Sequence, residues 1–356
     1  MPNWSEVREL FPALQRWTFL NTATFGQVSR RSVEAMEEHF RRRDETAASD
    51  FLSWFDDADR LRAKLATLIR SSPDDIAFLP NACTALGILL NGIDWRQGDE
   101  IVTLENEFPN QIYAPLHQGP ALKEVPAEGL LDAVTGRTRL VVLSAVNYTS
   151  GFRAPLETLA PELRRRGVLL YVDATQMLGA LRFDFSAIQP DMLAVNCYKW
   201  MLAPNGVGFM AVHPGLRERL RPLSIGWRSH RDWRNVNNLW HGKPELKSTA
   251  EKYEGGMLPS SLLYALEASV DLMLELTPDA IEQRVLQLAL QTRALFPGAL
   301  PYADTPIVAA NVDDAPALSA RLKQQGILTS ARHGMLRVST HFYNDESDIA
   351  RLAAAL

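Results

Sequence analysis

Between about Asp75 and Val212, hydrophobic positions fall into short continuous runs. These runs are rich in β-branched and aliphatic residues and read IAFLP, IVTLE, LVVLSAV, VLLYVDA, MLAVN and VGFMAV. Segments with helical spacing of apolar residues separate them. Uninterrupted apolar strands that alternate with helices are typical of a largely parallel sheet covered on both faces, so this part of the chain is predicted to be an α/β layer.

The pattern changes after Pro259. SSLLYALEASVDLMLEL has apolar residues at helical spacing, and Pro259 and Ser260 stand where a helix begins. A second helix, the run TPIVAANV, a helix around ALSARLKQQG, strands ILTSA and MLRVST and a closing helix ESDIARLAAAL follow. This mixture predicts a smaller α+β domain. The loop-rich segment 221–256 before it is predicted to be a connector or lid.

The composition is that of a soluble globular protein, with 46% hydrophobic and 22% charged residues among 356. Acidic residues number 42 against 37 basic ones, which argues against a nucleic-acid or membrane-surface protein. The start, MPNWSEVRELFP, has charges where a signal peptide needs an apolar core, and only Cys83 and Cys197 are cysteines. We therefore predict a cytoplasmic protein without disulfides or membrane spans.

Two other kinds of site are disfavoured by their spacing requirements. NGVG has two glycines of a dinucleotide fingerprint but lacks the third and leads into a strand, and no phosphate-loop motif ending in Gly-Lys-Ser/Thr occurs. The 7 histidines are scattered without metal-ligand spacing. We predict neither a nucleotide site nor a metal site.

The segment YVDATQMLGA carries the most informative chemical signal. An apolar strand ends in Asp173, and Gln176 follows one turn later. Lys199 follows another apolar run and stands between the aromatic residues of NCYKW. Because ligands bind at the carboxyl ends of parallel strands, neighbouring strands could aim Asp173 and Lys199 into one crevice. Spacing alone leaves open the alternative that Asp173 caps a helix and Lys199 lies in water.

A buried lysine beside a carboxylate suits one cofactor chemistry. Burying an ammonium is unfavourable unless a partner or a chemical task holds it inside. Pyridoxal phosphate forms a Schiff base with a lysine amine, and a carboxylate keeps its pyridine nitrogen protonated so that the ring accepts electrons. A glutamine beside them would hydrogen-bond the ring hydroxyl. Lys199, Asp173 and Gln176 therefore predict a pyridoxal phosphate site.

VDATQ followed by NCYKW and GVGF resembles the fold-type I pyridoxal phosphate enzymes of the class V aminotransferase family, which includes cysteine desulfurases, kynureninase and isopenicillin N epimerase-like proteins. The likeness extends from FLNTATFGQVSRRSVEAM to LRVSTHFYNDESDI. It implies an aspartate aminotransferase-like fold: a large α/β domain, 21–256, with a mainly parallel seven-stranded sheet between helices, and a small α+β domain, 257–356. An amino-terminal arm, 1–20, would join the small domain, and a homodimer would share its active sites.

The resemblance assigns roles around the cofactor. It makes Lys199 the Schiff-base lysine, Asp173 the partner of the pyridine nitrogen and Gln176 a ligand of the ring oxygen. PNACTALG resembles the phosphate loop, ENEFPNQIYAPL the segment with the ring-stacking residue, and SAVNYTSG the loop that contacts the cofactor oxygen. Without VDATQ, these would be interpreted as a capped helix, a core aromatic and a turn. The candidates in the phosphate loop are Ala82, Cys83 and Thr84. Phe108 is the candidate ring-stacking residue, and Asn147 or Tyr148 is the candidate contact of the cofactor oxygen.

Some positions depart from the family pattern. Relatives often read Ser-x-His-Lys, with serine and histidine on the phosphate, where this chain has Asn196 and Tyr198, which also donate hydrogen bonds. Cys83 stands where the family often has threonine. In YEGGMLPSS, Gly256 matches a residue that a second subunit contributes to the phosphate, but Met257 lacks the side-chain donor of the usual threonine.

The resemblance implies that the substrate is an amino acid. Arg337, in LRVST, matches the arginine that grips the substrate carboxylate with a bidentate fork, and the alternative is a surface arginine at a strand start. NTATFG resembles the segment that borders the substrate in epimerase-like members. It adds Asn21, Thr24 and Phe25 as candidate substrate contacts.

The resemblance leaves amino-group transfer, epimerisation at Cα and a lyase reaction at the β-carbon open. FLNTATFG and EFPNQIY favour an aminotransferase-like or epimerase-like enzyme. A cysteine desulfurase with a persulfide cysteine is disfavoured, because no cysteine occurs between Gly256 and Arg337. A non-catalytic scaffold that binds pyridoxal phosphate is another alternative. The complete set of Asp173, Gln176, Lys199 and Arg337 argues against it.

Overall fold

The computed structural model describes residues 2–240 and 242–356. Its strands in chain order are β1 (Thr18–Phe19), β2 (Ile76–Leu79), β3 (Glu100–Leu104), β4 (Ala121–Val125), β5 (Thr138–Ser144), β6 (Leu169–Asp173), β7 (Met192–Asn196), β8 (Gly208–Val212), β9 (Ile307–Asn311), β10 (Ile327–Leu328), β11 (Ser330–Arg332) and β12 (Met335–Ser339). Its α-helices are α1 (Trp4–Glu9), α2 (Arg30–Thr46), α3 (Ser53–Ile69), α4 (Ala82–Gly92), α5 (Pro109–Gln118), α6 (Leu130–Ala133), α7 (Leu156–Arg165), α8 (Phe185–Ile188), α9 (Pro214–Arg217), α10 (Ser260–Leu276), α11 (Pro278–Arg293), α12 (Ala315–Gln324) and α13 (Glu346–Ala355).

A 7-stranded sheet forms the centre, in the order β2-β8-β7-β6-β5-β3-β4. β8 runs antiparallel to its neighbours β2 and β7, and the other adjacent pairs are parallel. The predicted α/β class and the mainly parallel seven-stranded sheet are therefore confirmed. At its carboxyl end β6 places Asp173 opposite Ser144 of β5 and Ala194 of β7. The carboxyl ends of three neighbouring strands thus lie side by side.

Both faces of this sheet are buried, which explains the uninterrupted apolar runs. Val141 and Val172 belong to the core that includes α3, α7 and α10, whereas their neighbours Val142 and Tyr171 pack on the opposite face with α4. Successive side chains of a strand point to opposite faces, so a strand covered on both sides shows no alternation of polar and apolar residues.

Two strand features depart from the sequence pattern. β4, with the sequence ALKEV, is an edge strand with only partly buried or exposed residues, and it lacks the apolar run that marks the inner strands. The segment ILTSA is not one strand, because β10 pairs with β1 and β11 pairs with β12. The prediction of a single strand there was wrong, since the chain passes from one small sheet to another at Thr329.

The carboxyl-terminal part packs around a second, smaller sheet, in the order β11-β12-β9. β1 pairs in parallel with β10, and Arg8 of α1 forms an ion pair with Asp348 of α13. The predicted long helix is present as α10, and it packs against α2 and α3. Within the described ranges, no helix combines the length and apolarity that crossing a membrane requires.

The loop-rich segment 221–256 is tied to the large sheet by a buried ion network. The Glu254 carboxylate accepts hydrogen bonds from Arg62 Nη1 at 2.7 Å, from Arg228 Nη1 at 3.0 Å and from the backbone N–H of Phe78 at 2.8 Å. The Glu254 side chain is 0% exposed, and the two arginine side chains are 6% and 1% exposed. Glu254 therefore bridges two buried guanidinium groups, which also pair with Glu251 and Asp59 at the edge of the network.

We expect the substitution Glu254→Gln to lower the free energy of unfolding by about 3 kcal/mol, because it removes the fully buried carboxylate that two buried guanidinium groups share. Urea unfolding monitored by circular dichroism would measure the change. Glu162→Gln on α7, whose pairs with Arg165 and Arg166 lie at the surface, is the matched control and should change stability little. Equal losses in the two variants would contradict a special role of the buried network.

Candidate active site

Asp173 and Lys199 lie at the same edge of the central sheet. Asp173 is the last residue of β6, and Lys199 lies on the turn that follows the neighbouring strand β7. Both side chains are buried, with 6% and 8% of their surface exposed. The alternative in which Lys199 lies in water is therefore wrong.

Close backbone packing fixes the turn that carries Lys199. The Gly26 N–H donates to the Tyr198 carbonyl at 2.9 Å, and a Cβ on Gly26 would overlap the Lys199 carbonyl oxygen. Gly179 approaches the next residue in the same way, because its Cβ would overlap the Trp200 carbonyl. Only glycine permits contact this close.

The loop after β12 and the helix α10 hold the following residues of the turn. His341 Nε2 lies 2.8 Å from the Trp200 carbonyl, and Ser269 Oγ donates to the Met201 carbonyl at 2.6 Å. Burial lowers the pKa of His341 to about 3. The imidazole is therefore neutral, and its Nε2–H is the donor to Trp200 because its Nδ1 accepts the N–H of Phe342.

The Lys199 ammonium has no hydrogen-bond or ion-pair partner among the described side chains and backbone groups. Its Nζ lies 5.6 Å from the ring centroid of Phe108 and 5.7 Å from that of Tyr198. Burial lowers the pKa of Lys199 to about 8; the charges of Arg337 and Arg332 act in the same direction and that of Asp173 opposes them. A larger fraction of Lys199 is therefore the neutral, nucleophilic amine near neutral pH than of an ordinary lysine.

Asp173 is a buried carboxylate supported by two donors. Its Oδ1 accepts from the Thr175 N–H at 2.9 Å, and its Oδ2 accepts from Gln111 Nε2 at 3.0 Å. Burial raises the pKa of Asp173, whereas these hydrogen bonds and the charge of Lys199 lower it. A nearby cationic group would favour its ionised form.

A second buried acid, Glu107, adjoins Asp173 and was not among the candidates from the sequence. Its carboxylate accepts from the N–H and Oγ of Ser144 at 2.7 Å and 2.6 Å. Gln111 Nε2 lies 3.4 Å from Ser144 Oγ and also binds Asp173, so a chain of hydrogen bonds joins the two acids. Burial raises the pKa of Glu107, and the charge of Asp173 adds to this. The only signal was a glutamate directly before the aromatic candidate Phe108.

Gln176 lies within the site but already has two protein partners. Its Oε1 accepts from Trp200 Nε1 at 2.8 Å, and its Nε2 donates to the Ala23 carbonyl at 3.0 Å. One N–H of the amide remains for another acceptor. Gln176 thereby also links the Lys199 turn to the amino-terminal segment.

Phe108 and Tyr148 form one wall beside the lysine. Phe108 precedes α5, and its ring meets that of Tyr148 edge to face at 5.3 Å. Asn147 is committed to its own loop, because its Oδ1 accepts from Thr149 and Ser150 and its Nδ2 donates to the Asn106 carbonyl. Of the two loop candidates, Tyr148 faces the aromatic wall.

Arg337 brings the small domain to the site. Its guanidinium donates to Thr24 Oγ1 at 2.6 Å, to the Tyr148 carbonyl at 2.6 Å and to Ser330 Oγ at 3.1 Å. Its residue surface is 1% exposed, and none of the described carboxylates pairs with it. Burial, with a contribution from Arg332, lowers the pKa of Arg337 to about 9. A buried guanidinium without an acid is suited to an anionic ligand. The surface-arginine alternative is wrong.

The predicted phosphate loop begins α4, but several of its donors have partners. The Ala82 N–H donates to Asn196 Oδ1 at 2.9 Å, and the Thr84 N–H donates to Asn81 Oδ1 at 2.9 Å. Cys83 is exposed, and its N–H has no acceptor among the described residues. Asn196 therefore joins β7 to the start of α4 through its oxygen, which leaves its Nδ2 hydrogens available.

The remaining candidates lie around this cluster. Tyr198 packs against the half-exposed ring of Phe25 with the centroids 4.9 Å apart and the rings tilted by 43°, and Asn21 Oδ1 accepts from Thr24 Oγ1 at 2.8 Å. Gly256 is the last residue of the connector, and its carbonyl accepts from Arg228 Nη1 at 3.1 Å. Its predicted phosphate contact is with a second subunit and stays a prediction.

These residues fit pyridoxal phosphate. The aldehyde carbon of this cofactor needs an amine, and its ring nitrogen needs a carboxylate. The face of its ring packs on an aromatic side chain, and its phosphate binds at a helix amino terminus. The residues that would hold it are Lys199, Asp173, Phe108 and the first turn of α4.

Comparison with known proteins places the chain in the aminotransferase class V family, whose model matches residues 19–296. The family is pyridoxal phosphate-dependent, so the cofactor predicted from the sequence is confirmed. The family resemblance inferred from VDATQ and NCYKW is likewise confirmed.

Several relatives and solved structures match almost end to end. Isopenicillin N epimerase of Amycolatopsis lactamdurans is 28% identical, over 99% of this chain and 98% of its own. A probable cysteine desulfurase of Methanothermobacter thermautotrophicus is 24% identical, over 99% of this chain and 96% of its own. The cystine C–S lyase C-DES in complex with cysteine persulfide has a TM-score of 0.88 at 25% identity, over 97% of this chain and 98% of that one. A C-DES variant with glycine linked to its pyridoxal phosphate has a TM-score of 0.89 at 24% identity, over 99% of this chain and 98% of that one.

In the cofactor-free protein, we expect Asp173→Asn to melt at the same temperature as the unmodified chain or higher. Burial raises the pKa of Asp173, so ionising it costs folding free energy, and the stability of the unmodified chain falls as pH rises through that folded-state pKa. The advantage of the amide should therefore grow with pH. Gln111 can accept the new N–H by turning its amide, since its Oε1 has no partner.

Thermal unfolding from pH 4 to pH 8 would measure this difference. Asp173→Ala is the control, because it removes the acceptors of Thr175 and Gln111 and should melt lower than Asp173→Asn throughout. If Asp173→Asn melted at as low a temperature as Asp173→Ala at every pH, the claim that the buried charge of Asp173 is unfavourable would be contradicted.

Proposed function

We propose that this protein is a pyridoxal phosphate enzyme that breaks and forms bonds at the Cα of an amino acid, as an epimerase-like or aminotransferase-like member of its family. The observation that carries the proposal is the buried pair of Lys199 and Asp173 facing a guanidinium, Arg337, that lacks an acidic partner. A non-catalytic scaffold would have no use for a reactive amine and an anion-binding arginine in one cleft.

Each residue has a task that its environment supports. When bound, pyridoxal phosphate supplies an aldehyde that condenses with amines and a ring that accepts electrons. Lys199 Nζ, with its pKa lowered to about 8, supplies the amine and can take a proton from the substrate Cα and return it. Asp173 holds a negative charge for the ring nitrogen, and Arg337 binds the substrate carboxylate.

The surroundings orient these groups and keep water away. Phe108 offers a ring face, and Gln176 has one N–H left for the ring oxygen. Asn196, Tyr198 and the start of α4, including Ala82, Cys83 and Thr84, are the proposed phosphate side. On the substrate side we propose Thr24, with Asn21 and Phe25 behind it. Asn147 and Tyr148 complete the loop beside the ring.

The epimerase-like reaction is supported by the nearly end-to-end match to isopenicillin N epimerase. A second candidate is a C–S lyase acting at the β-carbon, which the likeness to C-DES supports. The persulfide route of cysteine desulfurases is the less favoured reaction. Cys197 is buried with its thiol pKa raised by burial, and Cys83 lies at the start of α4 instead of before Arg337.

We also propose a homodimer. The connector and the residue directly after it carry exposed apolar side chains, among them Leu223, Ile225 and Met257, which are 57%, 54% and 55% exposed. A second subunit would cover them and bring its Gly256 toward the phosphate side. The acidic net charge and the absence of a disulfide framework support a cytoplasmic location.

Covalent loading of pyridoxal phosphate onto Lys199 should accelerate as pH rises to about 8 and level off above it, because only the neutral amine attacks the aldehyde and burial sets the pKa there. Borohydride reduction followed by peptide mass mapping would measure the modified fraction. Lys247, whose pKa burial also lowers to about 8, is the internal control. Label on Lys247 together with none on Lys199, or unchanged loading of Lys199→Ala, would refute the assignment.

Incubating the loaded enzyme with single amino acids in heavy water tests the reaction. Epimerisation predicts deuterium at Cα with both enantiomers in the product and no net loss of the amine. Amino-group transfer predicts that the amino acid is converted to its keto acid. C–S cleavage predicts that the amino acid loses its side-chain sulfur. Lys199→Ala should abolish exchange, with a loss of at least about a hundredfold. A loaded enzyme that exchanges no Cα proton of any amino acid would favour the scaffold and end the proposal.

A further inference from the structure

Two arginines from the same hairpin converge on one hydroxyl at the site. Arg332 ends β11 and Arg337 lies in β12. Arg337 Nη2 donates to Thr24 Oγ1 at 2.6 Å, and Arg332 Nη2 lies 3.5 Å from the same oxygen. The sequence motifs single out Arg337 alone. A second guanidinium therefore stands beside the proposed carboxylate position, and no role has been assigned to it.

The charges around this pair do not balance. Arg332, Arg337 and Lys199 are cationic, and each arginine lowers the pKa of Lys199 by repulsion. Throughout the described chain, neither arginine forms an ion pair with a carboxylate, and Asp173 and Glu107 are buried on the sheet side with partners of their own. Two adjacent guanidinium groups without an acid repel each other, so they favour ligands with more than one negative charge.

The two arginines are held differently. Arg337 is buried and fixed by three hydrogen bonds to Thr24, Tyr148 and Ser330. Arg332 is only half-buried, and its Nη1 donates to the carbonyl of its own neighbour, Ala331, at 2.8 Å. Its remaining N–H groups are free to meet a group farther from the reacting carbon.

We infer that the side chain of the substrate carries a second anionic group, a carboxylate, which Arg332 binds while Arg337 holds the α-carboxylate. This inference rests on the proposed function, because it specifies the substrate class of the same site. Arg332 is then a specificity-determining residue that selects acidic amino acids over neutral ones of the same shape.

The neighbouring space limits where the second anion can lie. A cavity of about 360 Å³ adjoins the site and is lined by His333, Asn147, Glu105 and Glu128 among others. Its two glutamates would repel a carboxylate. His333 Nε2 lies 2.9 Å from Tyr148 Oη at the border of this cavity. We therefore place the second carboxylate of the substrate between the Arg332 guanidinium and the contact of His333 with Tyr148, outside this cavity.

Matched pairs of amino acids test the inference. The holoenzyme is titrated with aspartate and asparagine, glutamate and glutamine, and 2-aminoadipate and its amide, with binding followed by cofactor absorbance. We expect at least one acid to bind about tenfold or more tighter than its amide. Arg332→Gln should abolish that preference by weakening the acid about 10- to 100-fold while the amide changes little. Arg332→Lys should retain part of the preference.

Two further variants separate the possible failures. Arg337→Lys should weaken acid and amide alike, and Arg321→Gln, on the exposed face of α12, should change neither. Equal weakening of acid and amide in Arg332→Gln would show that both arginines bind one carboxylate and would overturn the inference. The inference would also be overturned if the unmodified enzyme bound only neutral amino acids. If no amino acid perturbs the loaded cofactor, the proposed function itself fails, and this inference fails with it.

Discussion

The removal of one ammonium group from water is the constraint around which this molecule is arranged. Lys199 is buried with no hydrogen-bond partner among the described residues, and that state is unfavourable by itself. The fold maintains it by fixing the backbone on either side, through Gly26 from the amino-terminal segment and His341 from the small domain. Parts of the chain that are far apart in sequence therefore meet at this turn.

The site is divided electrostatically between its two sides. The central sheet supplies the acids Asp173 and Glu107, which share a chain of hydrogen bonds, and the hairpin of the small domain supplies Arg332 and Arg337. Lys199 is influenced by both: Asp173 raises its pKa, and the arginines together with burial lower it. In the proposed function, the acids on the sheet side serve the cofactor, and the arginines of β11 and β12 recognise the substrate.

Much of the fold could be predicted because the inner strands are buried on both faces and therefore appear as unbroken apolar runs. The edge strand β4 lacks such a run, and ILTSA reads as one strand although its halves pair with different partners. The meeting of Asp173 and Lys199 at one end of the sheet could be predicted, because Asp173 ends a strand of that kind and Lys199 follows another. Glu107, Gln111 and Arg332 carry no comparable signal, since their partners lie at distant positions in the chain.

The sequence by itself determined the fold class, the family and the cofactor, because strand burial and a lysine and aspartate at strand ends are encoded in local patterns. Tertiary structure alone decided that Asn196 and Asn81 occupy two of the predicted phosphate donors, that Gln111 joins Asp173 to a second acid, and that two arginines share Thr24. Those facts depend on which side chains meet across long sequence separations. Burial and hydrogen bonding fix such meetings only once the chain has packed.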